Sequence, residues 1–125
     1  MTQNKKNILI IDDDAFRHTT FTVLYNKHEL SHVYTYNDAL DTLKANKFDV
    51  VFLDHDLQGA YIEDPILTVE KTGLDIAIWM TRNLLEKPKV YIHSMNPVGS
   101  RMIFMMLSEA GFPVTITPFH LLPSI

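Results

Sequence analysis

Acidic and histidine side chains follow three apolar segments of this sequence, at points where a chain normally leaves a sheet. They are Asp12, Asp13 and Asp14 after "ILII", Asp54, His55 and Asp56 after "VVFL", and His93 and Ser94 after "VYI". Several carboxylates in one crevice repel each other and raise one another's pKa unless a cation neutralises them. Carboxylate oxygens suit a hard ion such as Mg²⁺ or Mn²⁺, which keeps several waters and shares itself with a phosphate.

Alternating strands and helices must position these residues. The predicted strands are "NILII", "HVYTY", "DVVFLD", "KVYIH" and "VTIT", and the predicted helices are "DAFRHTTFTVLYN", "NDALDTLKAN", "TGLDIAIWMTRNLLE" and "VGSRMIFMMLSEAG". Asp14 and Asn37 are the expected N-caps of the first two helices, and Gly111 closes the fourth. This alternation predicts an α/β fold with a doubly wound, five-stranded parallel sheet. The C-terminal "PFHLLPSI" is too short and too Pro-broken for a full final helix.

The topology predicts that the polar residues meet. In a doubly wound sheet the carboxyl ends of the strands share one edge, and ligands bind in the crevice there. We therefore expect Asp12, Asp13 and Asp54 to hold a divalent ion. Asp14 is better explained as a helix cap, and Asp56 could either complete the metal shell or orient a histidine.

Composition limits the classes of function. The chain has 125 residues, 46% hydrophobic and 21% charged, which fits one soluble domain over residues 1–125. Its formal charge of −4, with dispersed Lys and Arg, disfavours duplex DNA and anionic membranes as partners. It has no cysteine and no apolar segment long enough for a signal peptide or a membrane span. We expect a cytoplasmic protein.

Three motifs resemble the receiver domains of two-component signalling, which have a CheY-like (flavodoxin-like) fold. "ILIIDDD" is similar to their acidic pair, "VVFLDHDL" to the strand ending in their phosphoacceptor, and "ITPF" to the end of their fifth strand. The resemblance implies that Asp12 and Asp13 hold Mg²⁺ and that Asp54 occupies the phosphate-accepting position. Receivers carry a lysine where this chain has Thr117, which supplies no positive charge to a phosphoryl group.

Two segments, "LDHDL" and "HSMNPVG", together resemble a narrower family, the cyclic-phosphate-processing receiver-like domains, and "KTGLDIAIWM" is similar to their helix after the long loop. This resemblance implies a pocket for the cyclic phosphate of a nucleotide or of an RNA end. Opening a cyclic phosphodiester needs a base, an acid and positive charge around the phosphoryl oxygens. Two histidines near neutral pKa, His55 and His93, can divide the acid and base roles with Asp54 beside them, although the sequence does not say which is the base.

The helix start "NPVGSR" offers backbone amides to an anion. The predicted substrate-binding residues around it are Ser94, Asn96, Gly99, Arg101 and Thr117. Arg101 could contact the phosphate or be an ordinary surface residue, and Lys71 is a second candidate cation. The remaining histidines are interpreted as structural or surface residues: His18, His28, His32 and His120.

Two further segments suggest partners or movement. The connection over residues 58–71, "QGAYIEDPILTVEK", is longer than the usual strand-to-helix loop and is either a lid or an insertion without a role. The helix over residues 98–110 is apolar on nearly every side, which favours a homodimer through it.

Three hypotheses about function follow. The first is a metal-assisted phosphoesterase that processes a cyclic phosphate. The second is a response-regulator receiver in which Asp54 accepts a phosphoryl group from a histidine kinase. The third is a pseudo-receiver that binds a nucleotide or a protein in the same crevice without turnover.

Overall fold

Five strands form one parallel sheet in the computed structural model, which describes residues 5–57, 61–62 and 69–125. Its strands are β1 (Asn7–Ile11), β2 (Glu29–Val33), β3 (Val50–Leu53), β6 (Lys89–Ile92) and β7 (Val114–Ile116). They lie in the order β2-β1-β3-β6-β7 with every neighbouring pair parallel. The predicted doubly wound sheet is confirmed. The second strand was predicted three residues too late, at 32–36, because the β-forming residues there include Thr35 and Tyr36, which instead cap and begin a helix. The central strand β3, "VVFL", is buried at every residue, which explains its continuous apolar sequence.

Four α-helices in the described part of the chain cover this sheet. They are α1 (Ala15–Leu24), α2 (Tyr36–Ala45), α3 (Gly73–Asn83) and α4 (Pro97–Glu109). Asp14 caps α1 as predicted, accepting hydrogen bonds from the backbone N–H groups of Phe16 and Arg17. The predicted cap of α2 was wrong: Thr35, not Asn37, accepts the Asp38 N–H, so the helix begins one residue before Asn37. Its hydroxyl supplies the acceptor that the first turn needs.

Side chains of neighbouring residues in the sheet point to opposite faces. Leu9 and Ile11 of β1 belong to a cluster with buried residues of α2, α3 and α4. Ile8 and Ile10 belong to a second cluster with Phe21 of α1. Asp12, directly after the strand, continues the Ile8 and Ile10 series. The alternation therefore directs Asp12 towards α1.

The C-terminal segment takes the place of a fifth helix on the α1 face. It forms a single 3₁₀ turn over Phe119–Leu121, and Phe119, Leu122 and Ile125 pack against the cluster of Phe21. The Tyr25 hydroxyl donates a hydrogen bond to the Pro123 carbonyl at 2.6 Å. The prediction that the final helix is missing or short is confirmed.

The long connection after β3 contributes a small antiparallel pair, β4 (Tyr61–Ile62) and β5 (Val69–Glu70). The predicted lid over 58–71 falls largely on residues 58–60 and 63–68, outside the described residues. After it, α3 begins with Thr72 as N-cap, and the Asp75 carboxylate accepts the Thr72 N–H at 2.8 Å. Among the described residues, no helix has the length and apolarity needed to cross a membrane.

Candidate functional site

Three carboxylates meet at the carboxyl ends of β1 and β3. Asp12 and Asp54 are buried and Asp13 is half-buried, and one oxygen from each lies within 4.8 Å of the others. Backbone hydrogen bonds extend the sheet to this point, since Asp12 N–H donates to Val33 O and Asp54 N–H donates to Ile11 O. The predicted convergence of these three residues, which we name the acidic trio, is confirmed, and it could hold a metal ion.

Arg17 of α1 reaches into the acidic trio. It donates Nε–H to Asp12 Oδ2 at 2.6 Å and an Nη2 hydrogen to Asp12 Oδ1 at 2.8 Å. The same Nη2 lies 3.5 Å from Asp13 Oδ1 and 3.4 Å from Asp54 Oδ2. Sequence reasoning missed this residue. The available signal was its place in the first turn of α1, because a helical side chain points back towards the N-terminus of its helix, here towards Asp12.

Asp12 accepts two further hydrogen bonds. His93 Nε2 donates to Oδ2 at 2.7 Å, and the backbone N–H of Asp14 donates to Oδ1 at 2.8 Å. Together with the two bonds from Arg17, four donors use the roughly four acceptor positions of one carboxylate. Asp12 is therefore fully satisfied by the protein itself.

The carboxyl groups of the trio differ in pKa. Burial alone would raise the pKa of Asp12, but the hydrogen bonds from His93 and Arg17 outweigh it and lower that pKa well below its ordinary value. Burial and the neighbouring charge of Asp12 raise the pKa of Asp54 from 3.8 to about 6. Burial and the Asp12 charge also raise the pKa of Asp13. The lowered pKa favours the ionised form of Asp12, whereas burial and the Asp12 charge make ionisation of Asp54 less favourable.

His93 is almost completely buried, with 1% of its surface exposed. Its ring packs edge-on against Phe21 with centroids 5.2 Å apart, and its Nδ1 is buried without a hydrogen-bond partner among the described residues. Because an ionised Asp12 can only accept, we assign the proton to Nε2. From its buried position next to Phe21, His93 therefore orients the Asp12 carboxylate through the hydrogen bond from Nε2.

His55 lies on the opposite side of the sheet edge, against α4. Its Nδ1 is 2.8 Å from Asp56 Oδ1 and 3.4 Å from Asn96 Nδ2. A Cβ atom at Gly99 would lie 2.5 Å from His55 Cγ and Cδ2, so the ring occupies the space that a side chain would need. Donation from Nδ1–H to Asp56 leaves Nε2 as the nitrogen with a lone pair.

The structure thus separates the two predicted histidines. His93 contacts Phe21 on the α1 face, whereas His55 contacts Gly99 on the α4 face. Their predicted division of acid and base roles stays a prediction. The Asp56 side chain is 64% exposed, contacts His55 Nδ1 and is not a member of the acidic trio. Of its two predicted roles, the contacts therefore favour the orientation of His55 over completion of the metal shell.

The other predicted substrate-binding residues divide into two groups. The Ser94 hydroxyl accepts the Asn96 N–H at 3.1 Å. Asn96 is the N-cap of α4 and accepts the Gly99 N–H at 2.9 Å. Arg101, in contrast, is an exposed residue of α4.

Two predicted residues lie at the margins of the site. Thr117 follows β7, is half-buried, and donates its backbone N–H to Ile92 O at 2.8 Å. Lys71 lies before α3, with Nζ 3.9 Å from Asp75 Oδ1 and 5.8 Å from the centre of the Tyr36 ring. These contacts give Lys71 partners other than the acidic trio.

One remaining histidine has a structural role behind the trio. His18 is buried, its Nε2 donates to the Asp12 carbonyl at 2.8 Å, and its Nδ1 lies 2.6 Å from His32 Nδ1. Burial, and then the neighbouring His18, lower the pKa of His32. This pair braces the backbone of Asp12.

Solved structures with the same fold are receiver domains. A CheY-like response regulator receiver domain from Methylobacillus flagellatus is 19% identical, with a TM-score of 0.65 over 90% of this chain and 86% of the other. A response regulator receiver protein from Pseudomonas putida is 14% identical, with a TM-score of 0.69 over 96% and 90%. The BeF3-activated N-terminal receiver domain of RstA from Klebsiella pneumoniae is 16% identical, with a TM-score of 0.63 over 88% and 83%. At these identities the likeness shows the fold alone.

No curated protein matches the chain. The model of one protein family does match, over residues 7–109, and that family is the cyclic-phosphate processing receiver domain. The match spans β1 to α4 and so includes both the acidic trio and His55. The chain belongs to the cyclic-phosphate processing receiver domain family.

Proposed function

We propose that this protein is a metal-assisted phosphoesterase that opens the cyclic phosphate of a nucleotide or of an RNA end. The observation that carries the proposal is the placement of His55. It directly follows Asp54, it is oriented by Asp56 at 2.8 Å, and its ring lies on Gly99 at the start of α4. His55 thus places a basic ring nitrogen at the start of α4, while its chain neighbour Asp54 belongs to the acidic trio, an arrangement that suits phosphoryl chemistry.

The reaction adds water across one P–O bond of the ring. The water oxygen bonds to phosphorus while His55 Nε2 takes its proton, and the ring P–O bond breaks with its electron pair on the leaving oxygen. The protonated His55 returns a proton to that oxygen, which yields a phosphomonoester and a free hydroxyl. We assign proton transfer to His55 because His93 is 1% exposed and its Nε2 is held by Asp12.

The other residues position the phosphate. At the start of α4, Asn96 accepts the N–H groups of Gly99 and Ser100, and Pro97 has no N–H to donate. The Val98 N–H, which has no partner among the described residues, is the backbone donor suited to an anionic oxygen. His93 acts through Asp12 as a positioning residue. When bound by carboxylates of the acidic trio, Mg²⁺ or Mn²⁺ would supply Lewis-acid polarisation of the phosphate.

The test is direct incubation with defined substrates. A panel of 2′,3′-cyclic nucleotides, cyclic-phosphate-ended RNA and 1″,2″-cyclic phosphates is incubated with Mg²⁺ or Mn²⁺, and the products are identified by ³¹P NMR, after removal of Mn²⁺ by a chelator where that ion is used. We expect a ring-opened monoester from at least one compound, and its loss by about 10²–10⁴-fold in His55→Ala. His120→Ala is the matched control, because His120 lies in the exposed C-terminal turn. Full activity in His55→Ala would show that His55 is not the proton-transfer residue.

A second candidate, a phospho-accepting receiver, is favoured by one observation. Asp54 directly follows β3, at the position that accepts phosphate in receivers by the motif resemblance. Thr117 in place of the usual lysine argues against it. Acetyl phosphate would then add one phosphoryl group to Asp54, detected by mass spectrometry and absent in Asp54→Asn. Labelling without turnover of any cyclic phosphate supports signalling, and tight ligand binding without product supports a pseudo-receiver.

We also propose that α4 carries a contact between two copies of the chain. Val98, Met102 and Met105 are 70%, 49% and 52% exposed, and their spacing places them on one side of the helix. Ile116, on the edge strand β7, is 44% exposed. Sedimentation should show a dimer that Met102→Lys converts to a monomer, while Leu85→Lys, far from α4 in sequence and 98% exposed, has no effect.

A further inference from the structure

The cation inside the acidic trio is Arg17. Each of the three carboxylates already has a nitrogen of this guanidinium nearby, at 2.6 Å for Asp12, 3.5 Å for Asp13 and 3.4 Å for Asp54. We infer that Arg17 is an internal counter-ion that competes with a divalent metal, and that the metal binds all three carboxylates only when the guanidinium leaves Asp12. This inference rests on the metal site of the proposed function.

The donor set fits a hard divalent ion in type and spacing. Three carboxylate oxygens lie within 4.8 Å of one another, and two of the side chains are buried. The conflict is at Asp12. Its Oδ2 accepts from Arg17 Nε and His93 Nε2, and its Oδ1 accepts from Arg17 Nη2 and Asp14 N–H. A metal needs one of these lone pairs, so one donor must leave.

Arg17 is the donor that can leave. His93 is 1% exposed and held between packed rings, and the Asp14 N–H belongs to the start of α1. The Arg17 side chain, in contrast, is 25% exposed. Its Nη1 already lies 3.6 Å from Oδ2 of Asp14, whose side chain is 43% exposed. A rotation towards Asp14 and solvent therefore keeps the guanidinium paired.

The displaced guanidinium would stay at the rim of the site. Arginine binds phosphate oxygens through two parallel hydrogen bonds, which an exposed, fixed guanidinium can offer. Thr117 leaves the site without the cation that a lysine would provide. Release from Asp12 would let the site bind a metal and would also leave the guanidinium, still paired with Asp14, at the rim, where a phosphate oxygen can accept from it.

Mn²⁺ binding measures the competition directly. Isothermal titration of wild type, Arg17→Gln and Arg82→Gln with Mn²⁺ alone compares the site with a matched control, because Arg82 is an exposed arginine at the end of α3. We expect Arg17→Gln to bind Mn²⁺ about 10- to 100-fold more tightly than the other two proteins, the range for losing one charge-assisted pair. Equal or weaker binding by Arg17→Gln would overturn the competition.

Chemical rescue tests whether a change in Mn²⁺ affinity comes from the missing guanidinium or from altered folding of the variant. Methylguanidinium should refill the vacated space in Arg17→Ala and return its Mn²⁺ affinity towards that of wild type, with no effect on Arg82→Ala. If both variants respond equally, Arg17 is not the competing cation. If neither wild type nor an Arg17 variant with native circular dichroism binds Mn²⁺, the competition fails, and ring opening without metal would then show whether the proposed function survives.

Discussion

On the α1 side of the sheet edge, Asp12 is buried beneath four hydrogen-bond donors, whereas on the α4 side His55 pairs with an Asp56 that is 64% exposed. The first half of the crevice, the closed half, is built around Asp12, whose buried carboxylate accepts from Arg17, His93 and the Asp14 N–H. In the second half, the open half, the His55 side chain is 16% exposed and its Nδ1 contacts the exposed Asp56, which leaves Nε2 as the ring nitrogen that Asp56 does not engage.

Under the proposed function, this difference would separate two tasks of one crevice. A buried, paired carboxylate orients its neighbours and resists protonation, because hydrogen bonds to its charged form lower its pKa. A proton-transfer residue must instead exchange with substrate and solvent. We expect substitutions in the closed half to act first on stability and those in the open half to act first on turnover.

Removal of the Asp12 carboxylate should have the largest effect on stability. Asp12→Ala leaves Arg17 and His93 without their shared acceptor, and breaking a buried ion pair costs about 3–5 kcal/mol of the free energy of unfolding. Urea unfolding measures it. Asp56→Ala is the control in the open half, where an exposed pair contributes about 0–1 kcal/mol. Equal losses of stability in Asp12→Ala and Asp56→Ala would show that the two halves do not differ in their contribution to stability.

The raised pKa of Asp54 predicts that Asp54→Asn gains stability over wild type in a pH-dependent way. Because the folded state raises this pKa from 3.8 to about 6, the stability it contributes is complete below pH 3.8 and is lost as pH rises through 6. Without divalent ions, Asp54→Asn should be more stable than wild type at pH 7.5 by about 2–3 kcal/mol, from about 1.4 kcal/mol per pKa unit.

The difference between the two proteins should shrink below pH 4, and Mg²⁺ should stabilise wild type more than Asp54→Asn. Thermal unfolding across the pH range measures both effects. A constant difference at all pH values would show that Asp54 is not the titrating group.

Gly99→Ala should disturb the open half by a smaller amount. The new methyl group would lie 2.5 Å from the His55 ring, so the ring must move off the start of α4. We expect a loss of about 1–2 kcal/mol in stability, as for other overpacked sites, together with reduced turnover. Glu109→Ala, at the exposed C-terminal end of α4, should change neither. Retention of full activity in Gly99→Ala would show that the position of this ring does not matter.

Asp56→Asn should give the smallest change. It weakens one partly exposed hydrogen bond to His55 Nδ1, which predicts a 2- to 13-fold loss of turnover, corresponding to about 0.5–1.5 kcal/mol. Stability should stay within about 0.5 kcal/mol of wild type, since the side chain is 64% exposed. Steady-state kinetics and urea unfolding on the same preparation separate the two effects. A large stability loss with unchanged turnover would show that Asp56 supports the fold and not the proposed reaction.

Much of the fold was predictable because local patterns and topology agree. Apolar runs such as "NILII" and "VVFL" identified buried parallel strands, and the shared carboxyl edge brought Asp12, Asp13 and Asp54 together. The N-cap of α2 was wrong because Thr35 and Asn37 both have suitable side chains, and propensity alone does not choose between nearby caps.

The closed half was less predictable. Arg17 has no motif around it, and its role depends on the angle at which α1 packs on the sheet. His18 was interpreted only as structural or surface, although its ring supports the Asp12 carbonyl at 2.8 Å. Both contacts depend on how α1 crosses the ends of β1 and β2, which sequence periodicity does not define.

The residues that reach the carboxyl edge could be predicted from apolar runs, because those runs mark the strand ends and a parallel sheet aligns them. How these residues pair with one another became visible only in the folded chain. It placed His55 and His93 on opposite faces and put Arg17 among the three carboxylates. The physical reason is that a contact between side chains depends on helix packing and rotamers over a few ångströms, whereas strand order depends on hydrophobic burial along the whole chain.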